Sequence, residues 1–192
     1  MVNTTTNPPT LTRLGDLNHA RWRAKLVLHG EYLYIFGGYN NQTGILNTAE
    51  RMKIGEFTWS TLPNMKEARL DFGVYVRENR IYLLGGYRNT SIEYYDVGVN
   101  NFFLVENTQV PSGGIVCGLI NDQLYAVGKQ HLRVFSRDLQ LIQSRDNINN
   151  SYHYCFSDVV VRGSNLFYIN SDSSKVYSFD ATSVSLRVVK EF

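Results

Sequence analysis

Short apolar runs, each closed by a turn signal, predict strands along nearly the whole chain. Ala24, Leu26 and Leu28, two residues apart, predict the inward face of one strand, closed by the turn His29-Gly30-Glu31. A second strand, Tyr32 to Phe36, stops at the doublet Gly37-Gly38. A polar loop from Tyr39 to Asn47 leads to a third strand around Glu50 to Ile54. A fourth, around Thr58 to Leu62, closes at Pro63-Asn64.

The same order then returns. Phe72, Val74 and Val76 predict an inward face, Glu78-Asn79 a turn, and Arg80 to Leu84 a strand ending at Gly85-Gly86; Ser91 to Val97 and Phe102 to Val105 complete the unit. Gly37 to Gly85, Leu33 to Ile81 and Arg21 to Arg69 are each 48 residues apart. Glu50 to Trp59 and Glu93 to Phe102 are both nine steps, so the units differ in length only in the loop after the glycines. A period of about 40–50 residues, rich in short strands and glycine, predicts propeller blades.

A third unit follows in weaker form, with Ile115, Cys117 and Leu119 alternating, a turn at Asn121-Asp122, and Leu124 to Val127 ending in Gly128-Lys129. The fourth keeps neither glycine: Val159 and Val161 lead through Gly163-Ser164-Asn165 to Leu166–Ile169, Lys175–Asp180 and Leu186–Val189. Leu124 to Leu166 and Val134 to Val176 share an offset of 42. Before the first unit, Thr10 to Leu14 predicts one extra outer strand, and residues 1–9, rich in Thr, Asn and Pro, predict a disordered lead-in. The predicted fold is all-β: a propeller or partial propeller over 10–192, with about four four-stranded blades near 21–68, 69–113, 114–151 and 152–192.

Both faces of a blade pack on neighbours, so its central strands should be apolar on both sides, as Leu33-Tyr34-Ile35-Phe36 and Ile81-Tyr82-Leu83-Leu84 are. Glycines at the strand end let backbone approach backbone. Trp59 and Phe102 predict inter-blade cover on the order of 150–250 Å² each. Arg21 and Arg69 are expected to bond loop carbonyls between blades.

This order of Arg, alternating strand, apolar strand, Gly-Gly, Tyr, Glu and then an aromatic resembles the kelch repeat over about residues 11–192. The resemblance implies a kelch-type β-propeller that binds other proteins through loops at one end of the funnel, as ubiquitin-ligase adaptors and cytoskeletal or signalling scaffolds do. Propellers of that family have five to seven blades. With four, the expectation is an open arc, part of a larger propeller or completed by another copy, the alternative being a compact four-bladed ring.

Composition narrows the partner. Of 192 residues, 43% are apolar and 19% charged, with a net charge of +2 spread along the chain, so nucleic acid is not expected. Cys117 and Cys155 lack metal-ligand spacing and are expected as buried free thiols in a reducing, cytoplasmic setting. No apolar run approaches the roughly 20 residues of a membrane span.

Candidate chemistry is sparse. His19, His29, His131 and His153 do not pair at metal-binding spacings. Tyr152-His153-Tyr154-Cys155 has the residue types of a copper-radical oxidase, but contiguous strand residues point to alternate faces. The reading is therefore non-catalytic, with no cofactor and no metal: a scaffold or adaptor binding a protein partner at the loop end. The loops after the second strands supply Tyr39, Asn40, Tyr87, Arg88, Asn89, Lys129, Gln130, His131 and Asp172, and the blade connectors supply Arg69, Tyr152 and His153. Arg, Tyr and Asn suit protein recognition, and Arg88 with Lys129 against Asp172 points to an acidic peptide or loop. Self-association through open blade edges is a further expectation. The alternatives are a sugar-active enzyme similar to sialic-acid epimerases, or a propeller fragment acting only within a larger assembly.

Overall fold

The computed structural model describes residues 2–3, 10–11, 13–128, 130–148, 159–170, 175–183 and 185–191. Every regular element among them is a strand. The first is β1 (Val2–Asn3), paired only with β2 (Thr10–Leu11) in a two-stranded sheet of its own. The predicted extra strand is thus reduced to two residues and adds to no blade. Residues 13–20 follow without strand structure.

Four antiparallel four-stranded sheets follow. Sheet 1 contains β3 (Lys25–His29), β4 (Tyr32–Phe36), β7 (Ala49–Lys53) and β8 (Ser60–Thr61), with a small hairpin, β5 (Tyr39–Asn40) and β6 (Gly44–Ile45), in the loop after the glycines. Sheet 2 contains β9 (Gly73–Arg77), β10 (Arg80–Gly86), β11 (Asn89–Asp96) and β12 (Asn101–Gln109). Sheet 3 contains β13 (Val116–Ile120), β14 (Gln123–Val127), β15 (His131–Phe135) and β16 (Leu141–Asp146). Sheet 4 contains β17 (Val160–Arg162), β18 (Asn165–Asn170), β19 (Lys175–Asp180) and β20 (Ser185–Glu191). In each, strands pair in sequence order, and the four sheets are the blades of a partial β-propeller.

The apolar residues sort into three clusters, one per junction. Val27, Tyr34 and Phe36 of sheet 1 pack on Phe72, Ile81, Leu83 and Phe102 of sheet 2. Tyr75, Tyr82 and Leu84 pack on Ile115, Cys117 and Leu124 of sheet 3. Val116, Tyr125 and Val127 pack on Leu166, Tyr168 and Phe179 of sheet 4. A closed ring of four sheets would have a fourth cluster joining sheet 4 to sheet 1. None forms among the described residues, so the arc is open.

Openness corrects one prediction. In β3 the covered residues are Lys25 and Val27, whereas Leu26 and Leu28 are exposed. That predicted inward face packs on no other sheet among the described residues. Trp59 likewise covers no neighbouring blade: its indole N–H donates to the carbonyl of Gly15, clamping segment 13–20 along the outer side of sheet 1. Phe102, with sheet 1 beside it, is fully buried as expected.

The glycine doublets act as predicted. Gly37 has φ +55°, and a Cβ there would lie 2.4 Å from the carbonyl oxygen of Arg69; Gly85 has φ +56°, and its Cβ would lie 2.5 Å from Ile115. Both positions combine left-handed backbone with contact to the connector entering the next sheet.

Candidate functional site

Two polar assemblies recur from sheet 1 to sheet 2, one internal and one at the surface. The internal one is built on Arg21 and Arg69, just before the innermost strands. Arg69 Nε donates to Glu93 Oε1 at 2.6 Å, Nη1 to the carbonyls of Gly85 (2.7 Å) and Ser91 (2.9 Å), and Nη2 to Ser91 Oγ (2.7 Å). Arg21 repeats the pattern, with Nη1 donating to the carbonyls of Gly37 and Thr48 (2.9 Å each) and Nη2 to Thr48 Oγ1 (3.1 Å) and Glu50 Oε1 (2.7 Å). In both pairs the two side chains are 0% exposed.

These arginines therefore lock a blade to itself, where bonds between blades were expected. The carboxylates fasten the incoming connector: Glu93 accepts the N–H of Lys66, and Glu50 those of Asn18 and His19. Burial pushes the Glu50 carboxyl up, but the N–H groups of Asn18 and His19 and the Arg21 guanidinium outweigh it, leaving the carboxyl below its ordinary value. Arg69, predicted as a contact residue, is removed from any binding surface by its complete burial.

The surface assembly lies where the chain leaves the glycine doublets. Tyr39 N–H donates to the Trp22 carbonyl, and 48 residues on Tyr87 N–H donates to the Leu70 carbonyl, which places Tyr39 and Tyr87 at the same end of successive blades. Trp22, 51% exposed, stands edge-on to Tyr39 with ring centroids 5.3 Å apart, and the Arg23 guanidinium sits 5.5 Å from the Trp22 ring centre. Arg88, exposed and in left-handed backbone (φ 58°), lies over Tyr87 at 5.3 Å.

Arg23 also reaches across to sheet 2, its Nε donating to Asp71 Oδ1 at 2.7 Å. Arg23 and Asp71 are 48 residues apart with φ of 58° and 56°, so equivalent positions of two units carry opposite charges that pair. Trp22, Arg23 and Asp71 were missed by sequence reasoning; the signal was the charge reversal at one repeat position.

The remaining predicted contact residues divide. Asn40 is tied down, its Nδ2 donating to the Ala20 carbonyl and its Oδ1 accepting from the N–H groups of Gln42 and Thr43. Asn89 is the first residue of β11, where its Oδ1 accepts from Ser91 N–H and Oγ–H. Gln130 is exposed. His131 begins β15, its Nδ1 2.8 Å from Asp146 Oδ1, an oxygen that also accepts from Arg133 Nη1 at 2.8 Å. His131 and Arg133 hold the Asp146 carboxyl below its ordinary value. Lys129, Tyr152, His153 and Asp172 lie outside the described residues.

Against known proteins, a family model for the kelch motif matches residues 21–66, which spans the first blade with its arginine, glycine doublet and glutamate. The first blade is a kelch repeat. The chain's curated relatives include kelch repeat and BTB domain-containing protein 2 of horsepox virus, 34% identical over 91 residues, covering 47% of this chain and 16% of the relative. Kelch-like protein 40 of Xenopus tropicalis is 32% identical over 109 residues, covering 54% of this chain and 17% of the relative. Kelch repeat protein M-T8 of myxoma virus is 26% identical over 184 residues, covering 93% of this chain and 35% of the relative. The kelch chain thus spans from about a sixth to about a third of the length of these relatives.

Where the innermost strands of the kelch blades converge, a cavity of about 250 Å³ is lined by Lys25, Gly73, Tyr75, Ile115, Cys117 and Val159, among others. Burial, partly offset by Lys25, pushes the Cys117 thiol up to about 12. A thiol so placed is not a nucleophile. Among the described residues no three His, Cys, Asp or Glu side chains are grouped to hold a metal, and no helix is long and apolar enough to cross a membrane.

Proposed function

We propose that this kelch arc is a non-catalytic protein-interaction module that captures a partner peptide or loop at the end carrying Trp22, Arg23, Tyr39, Tyr87 and Arg88. The observation that carries the reading is the repeated pairing of an aromatic ring with a guanidinium on that end: Arg23 over Trp22 and Arg88 over Tyr87. Trp, Tyr and Arg dominate the energetics of protein contacts because they offer rigid apolar area with donors at its rim. Trp22, half exposed though large and apolar, is the anchor.

The partner is acidic. Arg88 meets no carboxylate among the described residues, whereas Arg23 spends its charge on Asp71. An adaptor or scaffold role in the cytoplasm follows on this reading. No observed grouping of residues favours the sugar-active alternative.

Panning a random-peptide display library on the 192-residue chain tests this. The expected result is enrichment of peptides rich in Asp and Glu, lost on Trp22→Ala and on the double charge reversal Arg88→Glu with Lys129→Glu. Enrichment without acidic bias, or capture unchanged in both variants, overturns the reading.

A further inference from the structure

The buried lock of sheets 1 and 2 has a counterpart of opposite charge in sheet 3. In the first two sheets the residue two before the leading glycine pairs across to the lock's glutamate, Ile35 to Glu50 and Leu83 to Glu93. In sheet 3 the residue two before Gly128 is Ala126, and its cross-strand partner is Arg133. Arg21 and Arg69 stand 16 residues before Gly37 and Gly85, and the residue 16 before Gly128 is Ser112. Sheet 3 thus carries a guanidinium where the lock has its carboxylate, and a short hydroxyl where the lock has its guanidinium.

The reversal changes the space around it. Glu50 and Glu93 accept N–H groups of the incoming connector, which an arginine cannot do. Between Arg133 and the end of β12 lies a cavity of about 640 Å³, within the size range of ligand pockets. Thr90 and Gln109 of sheet 2 line it with Arg133, Phe135 and Gln140 of sheet 3, and no Asp or Glu stands among its described lining residues. One wall is a bulge: Ser91 pairs with Gln109 but Ile92 with Val105, so residues 106–108 are extra, and Asn107 has φ 56°. Bulges re-aim a strand where a site is built.

Only part of the Arg133 guanidinium is used. Its Nη1 donates to Asp146 Oδ1 at 2.8 Å and to the carbonyls of Leu132 (2.9 Å) and Arg145 (3.4 Å), whereas Nε and Nη2 donate to no described residue. The Asp146 oxygen is itself shared with His131. The side chain is 21% exposed, so the charge is neither buried nor fully solvated. A free Nε–Nη2 edge offers two parallel donors spaced for the two oxygens of a carboxylate.

We propose that this cavity is a receptor for a carboxylate ligand, held by the Nε–Nη2 edge of Arg133, with the hydroxyl of Thr90 and the amides of Gln109 and Gln140 bonding the ligand's polar body. The carboxylate comes from a free hydroxy acid or from an acidic side chain of a protein partner. The site is separate from the Trp22 surface, and neither requires the other.

An amide NMR titration of the isotope-labelled 192-residue chain tests the proposal, with glucuronate and a capped peptide holding one aspartate as probes, and glucose and the asparagine version of the peptide as uncharged controls. A carboxylate probe is expected to shift the amides around Arg133 and Gln109 while its control does not, and the tighter of the two probes identifies the source. Arg133→Gln should weaken binding by about tenfold or more, as loss of a hydrogen bond to a charged group does. Asp146→Asn withdraws the competing carboxylate and should tighten binding, a gain that a merely structural role for Arg133 would not produce. Ser112→Arg with Arg133→Glu should rebuild the lock, raising the melting temperature and abolishing binding. Shifts confined to Trp22, Tyr87 and Arg88 belong to the loop-end surface and overturn the cavity as a site. So do the absence of carboxylate-dependent shifts near Arg133, unchanged affinity in folded Arg133→Gln, or no gain in Asp146→Asn.

Discussion

Replacing Arg69 with Met keeps most of the side-chain volume and removes all four hydrogen bonds of the guanidinium. It leaves the Glu93 carboxylate at 0% exposure with the Lys66 N–H as its remaining described partner. Removing one partner of a buried pair costs about 3–5 kcal/mol, because the charge left behind has neither water nor counter-ion. In a chain of this size each kcal/mol shifts the midpoint by about 2–4 °C, so the melting temperature should fall by about 6–20 °C. The double variant Arg69→Met with Glu93→Met removes both charges, and should cost less than the sum of the single variants by about 1–3 kcal/mol. Urea denaturation followed by tryptophan fluorescence, as a double-mutant cycle, measures both quantities. A single-variant cost below about 1 kcal/mol, or strictly additive variants, would refute the claim that an unpaired buried charge sets the cost.

Two further outcomes follow from perturbed titrations. Because the Glu50 carboxyl is held below its ordinary value of 4.5, its contribution to stability is complete above that pH and is lost as pH falls through the lower folded value. Glu50→Gln should flatten the acid limb of a stability-against-pH curve, and an unchanged limb would contradict the assignment. Cys117, its thiol pushed up to about 12 by burial, should resist a thiol-specific reagent at pH 8 in the folded Cys155→Ser variant and react on unfolding in urea. Rapid native labelling would show that the axial cavity opens.

The strands of all four sheets were largely legible in the sequence because they rest on local signals. Lys175–Asp180 was placed to the residue and Tyr32–Phe36 likewise. Burial was less legible. The alternation in β3 located two faces but could not say which has a neighbour, and Leu26 and Leu28 are exposed because the missing contact is a property of the arc. The accessibility of Arg69 was misjudged for a related reason. Arg69 looked like a connector residue free to reach a partner, yet its acceptors lie 16 to 24 residues further on, brought beneath it by the pairing of β10 with β11.

The recurrence of arginine, glycine doublet and glutamate as a set has a physical basis that none of the three has alone. The first glycine of each doublet adopts left-handed backbone against the connector entering the next sheet, and its carbonyl accepts from the arginine: Gly37 from Arg21, Gly85 from Arg69. The glutamate on the next long strand balances the buried guanidinium and fastens the connector that carries it. Without the arginine, the buried carboxylate would keep only backbone N–H partners and lose its counter-ion; without the glutamate, the buried guanidinium would keep only carbonyl and hydroxyl partners. A unit that loses one member is therefore under pressure to lose the others. The third unit, where Lys129 stands in place of the second glycine, shows no such lock among the described residues, although Gly128 N–H donates to the His131 carbonyl just as Gly37 N–H does to that of Thr48. Among the described residues, the degeneration seen in the third unit is thus the loss of one buried polar unit, while the apolar faces that join blade to blade persist through the fourth sheet.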